Sequence, residues 1–495
     1  MVEVGCAAMK ERAMTFPDSS ALDEAGKRSI IAGVLLAMLL AALDQTIVSP
    51  ALPTIGTKLG DFRYLPWVIT GYLLTATAVT PLYGKLADIY GRRLVIFSSI
   101  GIFLVGSVVC AIAPSMIFLV LGRGVQGIGG GGLIALAMTV IGDIVPPRER
   151  GLYQGYISGV WATASLAGPI LGGFFSEHLH WSMIFWINLP LGFFAIWMIS
   201  DPLKRLPHLN RQHRLDLFGS VLIVGATTLL LLVLTWGGSR FAWTSAQILG
   251  LSCGSLILWM LFAIRLLTCA EPLLPLEVLK NSVVRAATMS IFFAMAAFLG
   301  LSVYLPIFFE RVLRLSSSQA GLSLVPMMIA TVVGAAISGR MSVAVEHYKR
   351  IALIGLLGAL VSLLILVGSV SGISYLPFEF LLVITGFGIG TLFPIATVSV
   401  QNAVELRNLG VATGVLTFLR SLGSAIGVAV LGAVVFGAGR TMASEPMKSA
   451  EAGLASQSDF GQAFVYVFLV AAIGLGVSLG CLFAMEERPL RRTSG

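Results

Sequence analysis

Residues 30–53 read IIAGVLLAMLLAALDQTIVSPALP, a hydrophobic run that is long enough to cross a membrane as a helix. The run contains one full charge, Asp44, which lies 14 residues from Ile30, or about 21 Å along a helix that rises about 1.5 Å per residue. A carboxylate at that depth is costly unless it is paired, protonated or in contact with water. Asp44 could be a structural hydrogen-bonding partner between helices, but a functional site for protons or substrate is the favoured interpretation.

The hydrophobic character extends over the whole chain of 495 residues, of which 57% are hydrophobic and 11% are charged. Soluble domains carry roughly 25% charged residues, so we predict an all-α integral membrane protein with little room for a soluble domain. Apolar runs of suitable length predict fourteen spans. They cover residues 30–53, 65–84, 94–113, 116–140, 153–176, 183–200, 217–235, 246–266, 286–309, 319–341, 351–371, 377–400, 412–436 and 461–485.

The distribution of Lys and Arg predicts the orientation in the membrane. With the N-terminus in the cytoplasm, 23 of the 32 Lys and Arg residues lie on the cytoplasmic side and 7 on the opposite side, while Arg123 and Arg420 fall within spans. We therefore expect a multi-pass protein of the cell inner membrane with both termini cytoplasmic. The net charge of +8 follows from this asymmetry and does not indicate nucleic-acid binding.

Cysteine, histidine and motif content argue against an enzyme or a metalloprotein. The five cysteines show no CxxC spacing, and the five histidines fall in predicted loops. The sequence contains neither a GxxxxGK[ST] nucleotide-binding loop nor an HExxH motif. We therefore expect no cofactor and no metal, and a membrane enzyme or sensor is the disfavoured class.

Two basic segments divide the spans into groups. Residues 201–216 read DPLKRLPHLNRQHRLD, and a second basic stretch runs from residue 265 to 285. Residues 1–29 contain no pattern of a cleavable signal peptide and are expected to form a cytoplasmic tail. The predicted order after this tail is an N-terminal six-helix bundle (30–200), a linker with two additional transmembrane helices (201–285), a C-terminal six-helix bundle (286–485) and a cytoplasmic tail (486–495).

Several sequence blocks resemble the major facilitator superfamily, in particular its fourteen-span drug:proton antiporters of the multidrug-resistance type. The blocks in the N-terminal half are LDQTIVSPALPTI (43–55), GKLADIYGRR (84–93), GRGVQGIGGGG (122–132), GYISGVWATASLAGPILGG (155–173) and WSMIFWINLPLG (181–192). Ile89 stands where a basic residue is common, and Ala164 replaces one expected glycine. The C-terminal half matches mainly through FLRSLGSAIG (418–427).

The resemblance implies a conformational latch between spans two and three and at the end of span four. The candidate latch residues are Gly84, Asp88, Gly91, Arg92, Arg93 and Asp143. Asp88 is expected against the N-terminus of the span that begins near Val411, where a helix dipole favours an acid, and Arg92 is expected to pair with Asp143. The two glycines would allow tight turning and close approach. Positive-inside bias alone is the alternative explanation for the basic residues.

The fifth span carries small residues and a proline, which suit close packing and bending. These residues are Gly155, Gly159, Gly168, Pro169, Gly172 and Gly173. A bent and tightly packed helix at the bundle interface would suit a rocking transporter. Ordinary small-residue packing is the alternative for each glycine taken singly.

Arg123 is the second full charge well inside the first bundle. It is expected about 12 Å from the outer face, compared with about 9 Å for Asp44, so the two lie at similar depth. Asp44 is therefore the main candidate for proton coupling or cation recognition, with Arg123 as the group that tunes it. The secondary candidates are Gln45, Gln126, Asn188, Glu310, Glu379 and Arg420, and helix–helix hydrogen bonding is favoured for the first three.

Together these features predict a secondary active transporter that exports amphipathic or cationic drugs or other toxic compounds in exchange for protons by alternating access. A specific exporter of a single metabolite, or a uniporter of the same fold, is the alternative. An ion gradient must supply the energy because no ATP site is present, and protons are favoured over sodium. The expected partners are an amphipathic small molecule, protons and the lipid bilayer, without nucleic acid, and a periplasmic adaptor is left open.

Overall fold

The computed structural model of the protein is helical throughout the part of the chain that it describes. It describes residues 24–60, 64–146, 149–205, 216–238, 241–269, 272–315, 317–345, 347–370, 372–405, 408–441 and 457–490. The predicted N-terminal tail lies mostly outside the described residues. The all-α fold class predicted from the composition is confirmed.

The described residues contain seventeen α-helices. The first seven are α1 Glu24–Leu59, α2 Leu65–Tyr90, α3 Arg92–Ala111, α4 Met116–Ile144, α5 Arg150–His178, α6 Met183–Trp186 and α7 Asn188–Ser200. The next three are α8 Leu217–Trp236, α9 Ala246–Thr268 and α10 Leu276–Lys280. The last seven are α11 Ser282–Arg311, α12 Ser317–Leu322, α13 Val325–Ala344, α14 Lys349–Ser369, α15 Tyr375–Ala403, α16 Leu409–Thr441 and α17 Gln457–Ala484.

The structure supports most of the predicted membrane spans. Within the described residues, thirteen helical segments are long and apolar enough to cross a membrane. The predicted span at residues 65–84 corresponds to α2, which has 26 residues but is not among the thirteen. The exact count of fourteen is therefore not confirmed.

Two of the predicted spans are interrupted helices. The span at 183–200 consists of α6 and α7, which are separated at Ile187. Pro190 has no backbone N–H, so it cannot bond the carbonyl of Trp186, and this missing donor accounts for the interruption. The span at 319–341 likewise consists of α12 and α13, and Pro326 lies in the first turn of α13, where a proline is well tolerated.

The helices pack around two large hydrophobic cores. One core contains residues between Ile30 and Leu203, and the other contains residues between Val278 and Met485. The N-terminal half of the protein contains the first core, and the C-terminal half contains the second. The two halves contact each other mainly along two seams, which are formed by α2 with α16 and by α5 with α13. Helices α8 and α9 pack against each other, and α8 also contacts α2 and α16, so the additional pair lies beside the first of these two seams.

Candidate functional site

Asp44 lies at the centre of a buried polar network contributed by four helices. Arg123 on α4 donates from Nη1 to Asp44 Oδ2 over 2.5 Å. Gln126 Nε2 and Asn188 Nδ2 donate to the other oxygen, Oδ1, over 2.8 and 3.1 Å. The carboxylate thus accepts three hydrogen bonds in a place where its exposure is 0%, which is how a buried charge is compensated.

Ser107 of α3 completes this network. Its hydroxyl lies 2.7 Å from Gln126 Nε2 and 3.0 Å from Asn188 Nδ2. Gln126 also accepts from Arg123 Nη1 over 2.6 Å, because residues three apart share one face of α4. Ser107 could not be identified from the sequence, since a lone serine in an apolar span resembles any other small residue.

Arg123 is further held by α2. Its Nε donates to the carbonyl of Val68 over 2.9 Å, and its guanidinium carbon lies 4.4 Å from the centre of the Tyr72 ring. The ring of Phe185 is 5.8 Å away on another side. The guanidinium therefore contacts both the Asp44 carboxylate and the backbone of α2.

A cavity of about 1490 Å³ lies between the two halves of the protein. Arg123 and Tyr72 line this central cavity, whereas Asp44 lies behind them. Gln45, which follows Asp44, also lines it. The central cavity is bounded by residues of α1, α2, α4, α5, α8, α11, α13, α15 and α16. Most of these residues are apolar, so the space suits a hydrophobic molecule of drug size.

The central cavity reaches the helix ends that lie opposite the candidate latch. Its lining includes Ile69 near the start of α2, Trp243 after α8 and Val325 at the start of α13. Asp88, Arg92 and the other latch candidates are not among the lining residues. In the orientation predicted from the Lys and Arg distribution, the central cavity is therefore directed to the outside.

The candidate latch residues meet at the opposite ends of α2, α3, α4 and α16. Arg92 forms ion pairs with Asp88 over 2.6 Å and with Asp143 over 2.7 Å. Asp88 Oδ2 accepts from the backbone N–H of Val411 over 3.1 Å. This last hydrogen bond joins the two halves of the protein at the N-terminus of α16.

The two latch glycines permit a close approach that a side chain would prevent. A Cβ atom on Gly84 would overlap the carbonyl of Gly410 in the other half. Gly91 joins α2 to α3 with φ +85°, a conformation that glycine adopts without strain. The guanidinium carbon of Arg93 is 5.4 Å from the Phe97 ring.

A second contact between the halves lies at the same end and was not anticipated from the sequence. The start of α5 meets the end of α13 at Gly151 and Gly339, where a Cβ atom on either glycine would overlap the other backbone. Arg150 beside Gly151 donates to the carbonyls of Val145 and Gly142. Glycines of this kind carry no sequence signal that separates them from other helical glycines.

The sequence model of the Major Facilitator Superfamily matches residues 34–428. The chain belongs to this superfamily. It is 35% identical over 422 residues to the Multidrug transporter protein MdtP of Bacillus subtilis (strain 168), a match that covers 84% of this chain and 77% of that protein. It is 32% identical over 418 residues to Multidrug resistance protein 3 of the same organism, which covers 84% and 81% respectively.

The fold agrees with solved structures of transporters. A bacterial homologue of the iron transporter ferroportin, solved in an outward-facing state, superposes with a TM-score of 0.65 at 12% sequence identity, covering 93% of this chain and 100% of that one. At this identity the likeness concerns the fold alone. Superfamily membership and the curated relatives make the chain a multi-pass membrane transporter and not an enzyme.

The candidate residues of the fifth span differ in how closely they pack against other helices. Gly168 and Gly172 face α1, where a Cβ atom would overlap Thr46 or Ile47. Gly155 lies beside Ala336 of α13 at ordinary contact distance, and Pro169 is exposed. At Gly159 and Gly173 a Cβ atom would meet no described atom within 4 Å, so close packing does not account for these two glycines.

The secondary carboxylates lie away from the central cavity, whereas Arg420 lines it. Glu310 is half-buried near the end of α11. Glu379 is 8% exposed on α15, close to the hydroxyls of Ser323 and Tyr375. Neither acid reaches the cavity lining, so Arg420 and Gln45 are the secondary candidates that line the cavity.

Proposed function

We propose that this transporter exports amphipathic compounds in exchange for protons. The observation that carries the proposal is the Asp44–Arg123 pair, which is buried beside a large apolar cavity and is in contact with it through Arg123. Asp44 is the proposed proton carrier. The cavity volume and its largely apolar lining are the properties that a drug-sized amphipathic molecule requires.

Protonation of Asp44 would change what holds Arg123 in place. A neutral carboxyl group attracts a guanidinium far less than a carboxylate does at a separation of 2.5 Å. Arg123 would then be held mainly by the Val68 carbonyl and the Tyr72 ring, both on α2. Loading and release of the proton would therefore alter the forces on α2.

Helix α2 also offers a physical route from the proposed proton site to the latch. Val68 and Tyr72 lie in its first turns, and Asp88 lies near its other end, where it bonds Val411 of α16. We propose that the state of the Asp44–Arg123 pair biases the closure of the latch through this single helix. A closed latch together with a cavity at the opposite end is one of the two states that alternating access needs.

Proton coupling is favoured over sodium coupling by the groups around Asp44. Its carboxylate accepts from the N–H groups of Arg123, Gln126 and Asn188. A hard cation requires several oxygen ligands instead. Uniport, or export of one specific metabolite, is the alternative. Uniport would not depend on a protonatable group at this position, whereas export of one metabolite differs from the proposal in the range of cargo.

The proposal is tested with purified protein in proteoliposomes under an imposed pH gradient. We expect Asp44→Asn to remain folded and to lose proton-driven efflux, because the amide cannot carry a proton in exchange. Asp216→Asn is the matched control, since Asp216 is also buried and paired, with Arg265, but lies outside the central cavity. Its efflux should match that of the unmodified protein, and undiminished efflux by Asp44→Asn would overturn the proposal.

A further inference from the structure

Arg420 is one of two charged residues among the described residues that line the central cavity. Its guanidinium forms no ion pair and no hydrogen bond with any residue that the structure describes. Arg123, the other charged residue of the lining, is neutralised by Asp44. Arg420 therefore leaves one positive charge uncompensated beside the cavity.

Aromatic rings from both halves surround this charge. The guanidinium carbon of Arg420 lies 4.9 Å from the Phe393 ring on α15 and 6.0 Å from the Trp161 ring on α5. Cation–π contacts stabilise the charge by about 0.5–2 kcal/mol, but an aromatic ring is not an acceptor for the five N–H donors of the guanidinium. The indole Nε1 of Trp161 is also buried with no hydrogen-bond partner in the described part of the chain.

The remainder of the lining offers no negative charge to balance Arg420. Among the described residues that line the central cavity, none is Asp or Glu. In an apolar environment of low dielectric constant, an unbalanced charge acts strongly on a bound molecule. The field opposes a cationic cargo and attracts an anionic one.

We propose that the central cavity selects amphipathic molecules that carry a carboxylate, sulfonate or phosphate group, with Arg420 as the residue that recognises the anion. A guanidinium binds such groups through two parallel N–H donors. The Trp161 N–H supplies an additional donor, and the apolar body of the molecule packs against Phe393 and the apolar lining. The inference rests on the proposed function, whose cargo class it names, and it replaces the cationic cargo expected from the sequence.

Two probes with the same apolar body and opposite charge test this inference directly. Pyrenebutyrate carries a carboxylate, and its trimethylammonium counterpart carries a fixed positive charge. Equilibrium dialysis of the purified full-length protein in detergent, against protein-free micelles as the blank, gives both dissociation constants. We expect the unmodified protein to bind the anion at least about tenfold more tightly, a difference of about 1.4 kcal/mol.

Substitutions assign the preference to Arg420. Arg420→Gln should weaken pyrenebutyrate binding about tenfold or more without weakening cation binding. The affinity of Arg420→Lys for pyrenebutyrate should lie between those of Arg420→Gln and the unmodified protein. Trp161→Phe retains a ring, removes the N–H donor and should weaken anion binding to a smaller extent. Arg285→Gln is the matched control, because Arg285 is exposed at the start of α11 and does not line the cavity. It should leave both affinities unchanged.

The outcomes separate this inference from the proposed function. Preference of the unmodified protein for the cation, or unchanged anion affinity in folded Arg420→Gln, would overturn the anion site even if Asp44-dependent proton exchange is present. Arg420-dependent anion binding without proton exchange would support the site and contradict the coupling. If Arg420→Gln does not fold, Arg420→Lys and Trp161→Phe still decide the result, and unchanged anion affinity in both variants would overturn the site.

Discussion

Asp44 and Arg123 tolerate burial because each supplies what the other lacks. A single charge in an apolar bundle is costly, whereas a pair with additional hydrogen bonds offsets most of its desolvation. Asp44 receives three donors, and Arg123 is also held by a carbonyl and two rings. The pair is therefore stable as built but sensitive to the loss of either charge, which is a useful property for a group that takes up a proton.

Substitution of Arg123 should separate the effect of charge from that of geometry. We expect Arg123→Lys to retain part of the proton-driven efflux, because the charge next to Asp44 remains while the contacts to Val68 and Tyr72 are lost. Arg123→Leu should abolish efflux and destabilise the protein by about 3–5 kcal/mol, because Asp44 is then buried and unpaired. Efflux assays and thermal unfolding in detergent measure the two effects.

A double variant provides the control for this prediction. Asp44→Asn combined with Arg123→Leu removes both charges, so its thermal stability should exceed that of Arg123→Leu alone. Equal stability of the single and double variants would contradict the view that the unpaired carboxylate causes the loss.

At the scale of single helices, α2 connects features that lie far apart. It contacts Arg123 near one end, contributes Gly84 and Asp88 to the latch near the other, and packs against α4 and α16. Its turns thus touch the candidate proton site, the central cavity and the seam between the halves. A small displacement of α2 would therefore change the contacts in all three places.

Asp88→Asn should impair the transport cycle more than cargo binding. Asp88 lies outside the central cavity, and its substitution removes the charge that pairs with Arg92 and bonds the N–H of Val411. Equilibrium binding in detergent should survive while counterflow in proteoliposomes falls. Asp201→Asn is the control because Asp201 is highly exposed and forms an ion pair with Lys204, three residues away and outside the latch. A collapse of binding with normal exchange kinetics would contradict the latch assignment.

Gly84→Ala should shift the protein away from the state described here. The added methyl group would overlap the carbonyl of Gly410, so the seam between α2 and α16 could not close fully. A single cysteine introduced near the latch should therefore react faster with a soluble thiol reagent. Gly101→Ala is the matched control, since a Cβ atom there meets nothing within 4 Å. An equal reaction rate in both variants would show that the seam tolerates the methyl group.

At the scale of the whole molecule, the two halves differ in the surroundings of their cavity-lining arginines. The N-terminal half neutralises its cavity-lining arginine with Asp44, whereas the C-terminal half leaves Arg420 unpaired within the described structure. The halves meet through close glycine contacts at one end and are separated by the central cavity at the other. A transporter of this design would alternate between two states by opening the close glycine contacts between the halves while it closes the central cavity.

The orientation of the molecule is tested by labelling from outside intact cells. In a background without the native cysteines, single cysteines placed at 177–182 and 437–460 should react with a membrane-impermeant reagent, because the Lys and Arg distribution places both segments outside. A cysteine in the segment 201–216 should react only after permeabilisation. The reverse pattern would overturn the predicted topology and, with it, the outward direction of the cavity.

The sequence by itself determined the membrane class, the superfamily resemblance and the charged residues inside the first bundle. These properties follow from composition, from the length of apolar runs and from contiguous motifs such as GKLADIYGRR, all of which are local. Depth along a helix is also local, because each residue adds a fixed rise. For this reason Asp44 and Arg123 could be placed at similar depth before their contact was known.

Only the tertiary structure decided which faces of the helices meet. Asp44 and Asn188 are 144 positions apart, and Asp88 and Val411 are 323 apart, so their contacts depend on the rotation of each helix about its axis as well as on depth. The same rotations place Ser107 in the network, remove Gly159 and Gly173 from close packing, and leave Arg420 without a carboxylate among the described residues of the cavity lining. In spans that are apolar on nearly every face, hydropathy carries little information about rotation, and packing between distant helices determines it instead.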